Sequence, residues 1–263
     1  MLGEFQFSED SELTVTLGMM TKYWEEGCVK TRLGRATGNR VAAKIHELFT
    51  LQLCKNLANV SDKRCLCLDP ISRKTKVIEA LKAQGVRESW EIEKQQQGDI
   101  GHRMAAWFAS HLKTTHYENR GAILIGSDCP LLDDTDLGHA AKCLSENDVV
   151  IGPATDGGYY LIAIRNSIEC TKWESIFADI PWSTHAVLSE TRQRLQKEGI
   201  RWVELPERQD IDTVFDLRRL LKYLKSVNSE DAQAPEQSLL TSLTSILQDC
   251  PEETKVILDE TAH

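Results

Sequence analysis

The chain lacks the spacings that local cysteine chemistry uses. Its eight cysteines (28, 54, 65, 67, 129, 143, 170 and 250) form no Cys-x-x-Cys pair and no paired Cys/His motif. A zinc site or a disulfide framework is therefore not expected, and the thiols read as reduced. No apolar run approaches the ~18 residues that a membrane span requires. The amino terminus has no basic segment followed by an apolar stretch, so the expectation is a soluble, cytoplasmic protein that does not enter a membrane. Excess positive charge is also missing. Lys and Arg number 31 against 40 Asp and Glu, a formal net charge of −9. That argues against a nucleic-acid polymer as partner, since such polymers attract proteins chiefly through basic surfaces. A small anionic ligand held by a local basic cluster remains compatible, and a homo-oligomer is left open. There is no internal repeat.

What is present suits one large α/β domain. With 263 residues, 41% of them hydrophobic, the chain can fill a sizeable core without dividing in two. Extended and helical patterns alternate. Strands are expected at 13–17, 65–68, 122–125, 149–151, 159–164 and 200–205. Helices are expected at 40–57, 74–83, 101–112, 134–144, 184–197 and 212–224, the last capped by Asp212 or Thr213. This rhythm predicts a mixed, mostly parallel sheet flanked by helices. Tyr159 follows the Asp156-Gly157-Gly158 turn too closely for a crossover helix, so its strand should run antiparallel to a neighbour. The expected organisation is a catalytic domain over 1–225, a polar linker over 226–237, and a tail over 238–263 that can form one amphipathic helix packed on the body or on a partner.

Five segments carry chemistry. Gly126-Ser127-Asp128-Cys129-Pro130 and Gly152-Pro153-Ala154-Thr155-Asp156-Gly157-Gly158-Tyr159-Tyr160 each follow an apolar, β-prone run. Both therefore lie at the carboxyl ends of strands, the ligand edge of an open α/β sheet. A carboxylate arriving there, as Asp128 does, can hold Mg2+ or Mn2+ against a phosphate, with Cys129 as a small packing residue. Asp156 is placed to bind an acceptor hydroxyl or take its proton, although a hairpin turn alone also explains Asp-Gly-Gly. The segment from Lys22 to Arg35, with Gly27, Lys30 and Arg32, reads as a basic loop that neutralises a di- or triphosphate. In Gln95-Gln96-Gln97-Gly98-Asp99-Ile100-Gly101-His102-Arg103-Met104, two glycines allow a close approach and Asp99 can cap the following helix, leaving amides for an anion or a base edge. His102 reads as a surface residue. Asp210 and Asp212 alternate in an extended segment, so one of them should face the ligand while the other braces.

Together these motifs, with Trp182-Ser183-Thr184, resemble the glycosyltransferase-A-like family of radical-SAM- or selenodomain-associated, arsenosugar-biosynthesis transferases. The resemblance runs from Leu13 to Leu224. More distantly the chain is similar to phospholactate guanylyltransferase and the molybdenum-cofactor nucleotidyltransferases. The resemblance implies a nucleotide-diphospho-sugar transferase (GT-A, Rossmann-like) fold and a divalent metal on Asp128 and Asp212. It also implies a nucleotide site on the first half, and we assign Gly27, Lys30, Arg32, Gln97, Gly98, Asp99, Gly101, Arg103, Gly157, Gly158 and Tyr159 to substrate binding. Two departures stand out: Trp24-Glu25-Glu26-Gly27 brings negative charge where prolines are usual, and His102 replaces an acidic residue. The expected activity is metal-dependent transfer from a nucleotide-activated donor to a small acceptor, with Asp156, Lys30 and Arg32 catalytic. Glycosyl transfer from a nucleoside diphosphate sugar leads. Nucleotidyl transfer with release of pyrophosphate, and a nucleotide-binding regulator without turnover, are the alternatives.

Overall fold

The computed structural model describes residues 13–112, 119–168, 170–227 and 234–258. Among the described residues seven strands form one sheet: β1 (Thr14–Lys22), β2 (Lys63–Asp69), β3 (Glu91–Lys94), β4 (Arg120–Ile125), β5 (Val149–Pro153), β6 (Tyr159–Arg165) and β7 (Trp202–Glu204). Their order is β3-β2-β1-β4-β6-β5-β7. All neighbours pair in parallel except β6, which runs antiparallel to both β4 and β5, as the short turn before Tyr159 requires.

The helices are α1 (Thr31–Thr37), α2 (Asn39–Asn56), α3 (Lys74–Ala83), α4 (Ile100–Leu112), α5 (Asp134–Glu146), α6 (Cys170–Phe177), α7 (Val187–Lys197), α8 (Val214–Ser226), α9 (Pro235–Asp249) and α10 (Pro251–Leu258). Alternate strand residues point to opposite faces of the sheet. Leu17, Met19, Leu66, Leu68, Ile123, Ile125 and Ala163 pack with α2, α3 and α5 on one face. Cys65, Cys67, Ala122, Leu124, Ile162 and Ile164 pack with α4, α6 and α7 on the other. The result is a mixed, mostly parallel sheet between two helical layers.

Several expectations are corrected. The basic segment is not all loop: Thr31–Thr37 is a helix of seven residues, too short to show an apolar period. β3 was missed because Glu-Ile-Glu-Lys offers one apolar residue in four. The closing helix begins at Val214, capped by Thr213, whose hydroxyl accepts the Asp216 N–H. In the tail, Pro251 starts a second helix, so α9 and α10 replace the single helix expected. Of the expected linker, residues 228–233 lie outside the described residues, and helix begins again at Pro235.

Candidate active site

At the carboxyl edge of β1, β4 and β5 the chain opens into a cleft of about 1030 Å³, lined by residues of all five chemical segments, among them Lys30, Arg32, Arg103, Asp128, Asp156 and Asp212, together with His46 and residues 183–185. Asp128 leaves the end of β4, and its carbonyl accepts the Ile211 N–H at 3.0 Å. The 205–213 segment runs beside β5, held by Arg208 N–H donating to Pro153 and Thr155 N–H donating to Arg208, and by an Arg208–Asp136 ion pair. Those bonds bring Asp210 and Asp212 beside Asp128.

Lys30 sits at the centre of this cluster. Its backbone adopts the left-handed conformation (φ 41°), uncommon for a residue with a side chain and a mark of strain held by its surroundings. Its side chain is 2% exposed. The ammonium donates to Asp128 Oδ1 and to the Ile211 carbonyl, both at 2.6 Å, and lies 4.0 Å from Asp212 Oδ1. The Phe49 ring lies beneath it at 5.2 Å. Burial works against ionising Asp128, but the charge and hydrogen bond of Lys30 outweigh it and hold the carboxyl below its ordinary value. Burial and the negative charges of Asp156 and Asp212 push Asp210 up to about 6. Burial and Asp128 raise Asp212, against the pull of Lys30 and Arg32. One buried lysine therefore does not compensate the carboxylates gathered here, and the cluster retains appetite for a cation. Asp212 lines the cleft, and Asp210, expected to turn away if Asp212 faces inward, still feels the same charges.

His46 was not singled out by the sequence. It lies on the buried face of α2 between Lys44 and Glu47, and only the packing of that face against the end of β1 shows its role. Its Nε2–H donates to the Lys22 carbonyl at 3.0 Å, so Nδ1 carries a lone pair. Nδ1 is buried, without a hydrogen-bond partner, 3.9 Å from Asp128 Oδ1. An orphaned acceptor beside a carboxylate is a place a cation or a donor would fill.

The other assigned residues separate into groups. Arg103 lines the cleft, braced by donating to the Gly98 carbonyl at 2.9 Å and to Gln95 Oε1 at 3.2 Å. Gln95, part of the same motif but given no role there, anchors that arginine by donating to the carbonyls of Thr21 and Cys67. Gln97 is exposed and outside the cleft lining, and Asp99 caps α4 by accepting the His102 N–H at 2.9 Å. His102 is on the surface, as read. Gly27 lies in an exposed turn, and the neighbouring Glu25 is paired with Arg73 at 3.0 Å, which takes up one of the two added negative charges. Gly101 permits contact with Trp182: a Cβ there would lie 2.6 Å from its Nε1. Gly157 (φ 89°) could bear no side chain, because a Cβ would meet the His185 carbonyl oxygen at 2.3 Å. This packing places the Ser183-Thr184-His185 loop on the cleft wall. Asp156 Oδ1 accepts the Gly158 N–H at 2.8 Å. A smaller cavity of about 250 Å³, walled by Tyr159, Trp182, Met104 and Val187, shares Asp156, Ile100 and Thr184 with the main cleft.

Residues 51–184, which include Asp128 and Asp156, match the family described as an uncharacterized protein conserved in bacteria, DUF2064. The chain belongs to this family. Among solved structures, it is similar to a candidate nucleotide-diphospho-sugar transferase from Desulfovibrio desulfuricans G20, at 29% identity and a TM-score of 0.76, covering 91% of this chain and 98% of that one. The fold is shared with 4-diphosphocytidyl-2C-methyl-D-erythritol synthase from Anaerococcus prevotii DSM 20548, at 9% identity and a TM-score of 0.54, over 81% of this chain and 97% of that one. No curated protein matches the chain. No helix among the described residues is long and apolar enough to cross a membrane.

Proposed function

We propose that this DUF2064 protein is a metal-dependent transferase that moves a glycosyl group from a nucleoside diphosphate sugar to a small hydroxyl-bearing acceptor. The observation that carries the reading is the cleft itself: a cluster of carboxylates around buried Lys30, facing Arg32 and Arg103, with Asp156 at the mouth of a second, apolar cavity. The main cleft is of the size that nucleotide ligands occupy. The similarity to the Desulfovibrio protein supports a nucleotide-linked donor.

In this reading Lys30 and Arg32 neutralise charge that grows on the departing diphosphate, the electrostatic term that dominates such transfers. Arg103 positions the donor phosphates. The acceptor places its apolar part in the smaller cavity walled by Tyr159 and Trp182, and its hydroxyl oxygen attacks the anomeric carbon while Asp156 takes the proton. Asp128 and Asp212, with the free His46 Nδ1 beside them, would hold Mg2+ or Mn2+. Their carboxylate oxygens and the unpartnered imidazole nitrogen suit a divalent cation, and the raised carboxyl of Asp212 marks negative charge that such an ion would neutralise. When bound, the ion supplies further charge neutralisation to the leaving group.

The test is incubation with nucleoside diphosphate sugars and small acceptors, arsenic-containing sugar precursors among them, with and without Mg2+ or Mn2+. Acceptor-dependent release of nucleoside diphosphate supports the proposal. Pyrophosphate released from a nucleoside triphosphate would instead establish nucleotidyl transfer, and binding without any turnover would leave a regulator.

A further inference from the structure

We propose that Cys65, Glu93 and His111 form a zinc site at the other end of the sheet edge, independent of the cleft. β2 and β3 pair in parallel with Cys67 opposite Glu93. That register sets Cys65 Sγ 3.2 Å from Glu93 Oε1. The last turn of α4 brings His111 Nε2 to 3.6 Å from Cys65 Sγ and 3.2 Å from Glu93 Oε2. Cys65 is fully buried and the His111 side chain is 8% exposed. Among the described residues, no other set of three such donors converges within 4.8 Å.

The proton inventory points to a cation. The Ser110 hydroxyl donates to the Trp107 carbonyl at 2.8 Å, so its oxygen is left to accept His111 Nδ1–H at 3.2 Å. The ring is also stacked on Trp107, centroids 4.5 Å apart, which fixes its orientation. His111 Nε2 then aims a lone pair at a carboxylate oxygen. The Cys65 S–H can serve one of these acceptors and not the rest. A tetrahedral zinc ion with ordinary bond lengths sets its ligand atoms about 3.4–3.6 Å apart, close to the separations found here before any ion has drawn them in. On binding, the S–H bond breaks and its proton passes to solvent. The thiolate and the Glu93 carboxylate then balance the dication, with a neutral imidazole as third ligand and water able to complete the shell. Thiolate and imidazole select zinc over magnesium, unlike the carboxylates of the cleft. Lys63, 3.7 Å from Glu93 Oε1, has an alternative partner in Glu91 at 3.1 Å. The three ligands come from positions 65, 93 and 111, so the site has none of the short Cys and His spacings by which zinc sites are read in a sequence.

The experiment is titration of the metal-free full chain with Co2+ in excess Mg2+, followed by its absorption spectrum, and with Zn2+, followed by melting temperature. A single equivalent of Co2+ with a thiolate-to-metal band and tetrahedral absorption, displaced by Zn2+, is expected. Cys65→Ser should remove the band, and Cys28→Ser should keep it. His111→Gln should weaken Co2+ affinity by at least ~10-fold. No thiolate band in the unsubstituted chain, or the same band in Cys65→Ser, would overturn the site. Should circular dichroism show that Cys65→Ser does not fold, His111→Gln decides: unchanged Co2+ affinity overturns the proposal, and the expected loss sustains it.

Discussion

Asp128 and Asp212 flank the same ammonium, yet their removal should have different consequences. Asp128→Ala takes away the 2.6 Å partner of a lysine that is 2% exposed, leaving it the Ile211 carbonyl and a more distant Asp212. Since the Asp128 side chain is 42% exposed, the loss should be below that of a fully buried pair, about 1–2 kcal/mol. Asp212→Ala removes a carboxylate whose ionisation its neighbours oppose, so stability should hardly change. Both variants should lose the metal-dependent part of nucleotide affinity, measured by calorimetry with and without Mg2+ or Mn2+. Retained metal dependence in both would dismiss the shared ion. A second test concerns Asp156. Asparagine keeps the oxygen that accepts the Gly158 N–H, so the turn and donor affinity should survive in Asp156→Asn. Turnover should fall by roughly 10²- to 10⁴-fold, the contribution of a positioned base. Undiminished turnover at an unchanged melting temperature would take Asp156 off the catalytic list. These acidic residues were legible because each ends an apolar run or lies beside a helix cap. The roles of His46 and Gln95 were not, since they depend on contacts of α2 with the end of β1, and of the residue after β3 with carbonyls of β1 and β2, that no local pattern encodes.

Elements with a strong period were read nearly to their ends: α3 spans the expected residues and α2 differs by one at each end. Short elements were not. α1, β3 and α6 each offer too few turns or alternations to stand out from loop, and they take their form from what they pack against. The edge strand β7 shows such dependence in its anchorage. Asp148, just before β5, accepts the Arg201 N–H at 3.2 Å, the Arg201 Nε–H at 3.3 Å and the Ser167 hydroxyl at 3.0 Å. It thereby ties the start of β7 to β5 and to the residues after β6. Partial burial opposes ionisation of Asp148, but these donors prevail and hold its carboxyl below the usual value. A depressed folded value means the stabilisation is present above the unfolded value of about 3.9 and is lost as pH falls through the folded one. Asp148→Asn should therefore cost about 0.5–1 kcal/mol near neutral pH, after allowance for solvent screening, and almost nothing in strong acid. Melting curves of both proteins across that range check it. A penalty independent of pH would show that shape, not charge, holds the strand.

For the whole molecule, the question is whether the tail is an appendage or part of the folding unit. Leu239 and Leu243 on α9 are fully buried, and they join Leu33, Ile45 and Phe49 of α1 and α2 and Leu217 and Leu221 of α8 in one cluster. The same cluster contains Ile211, the residue between Asp210 and Asp212 whose carbonyl receives Lys30. Phe49 is the ring beneath the Lys30 ammonium. The tail thus takes the first of its two expected positions, on the body, and backs the wall on which the proposed phosphate site is built, a link to the site that no local pattern encodes. Leu243→Ala should then destabilise the entire chain by about 2–4 kcal/mol, as leucine truncation in a packed core does. Urea unfolding should remain a single transition with an unchanged slope and a lower midpoint. A tail that folds separately would instead give two transitions, with only the minor one displaced. In that case α9 would have no part in holding Phe49 and Ile211 in place, and its deletion would leave nucleotide affinity intact.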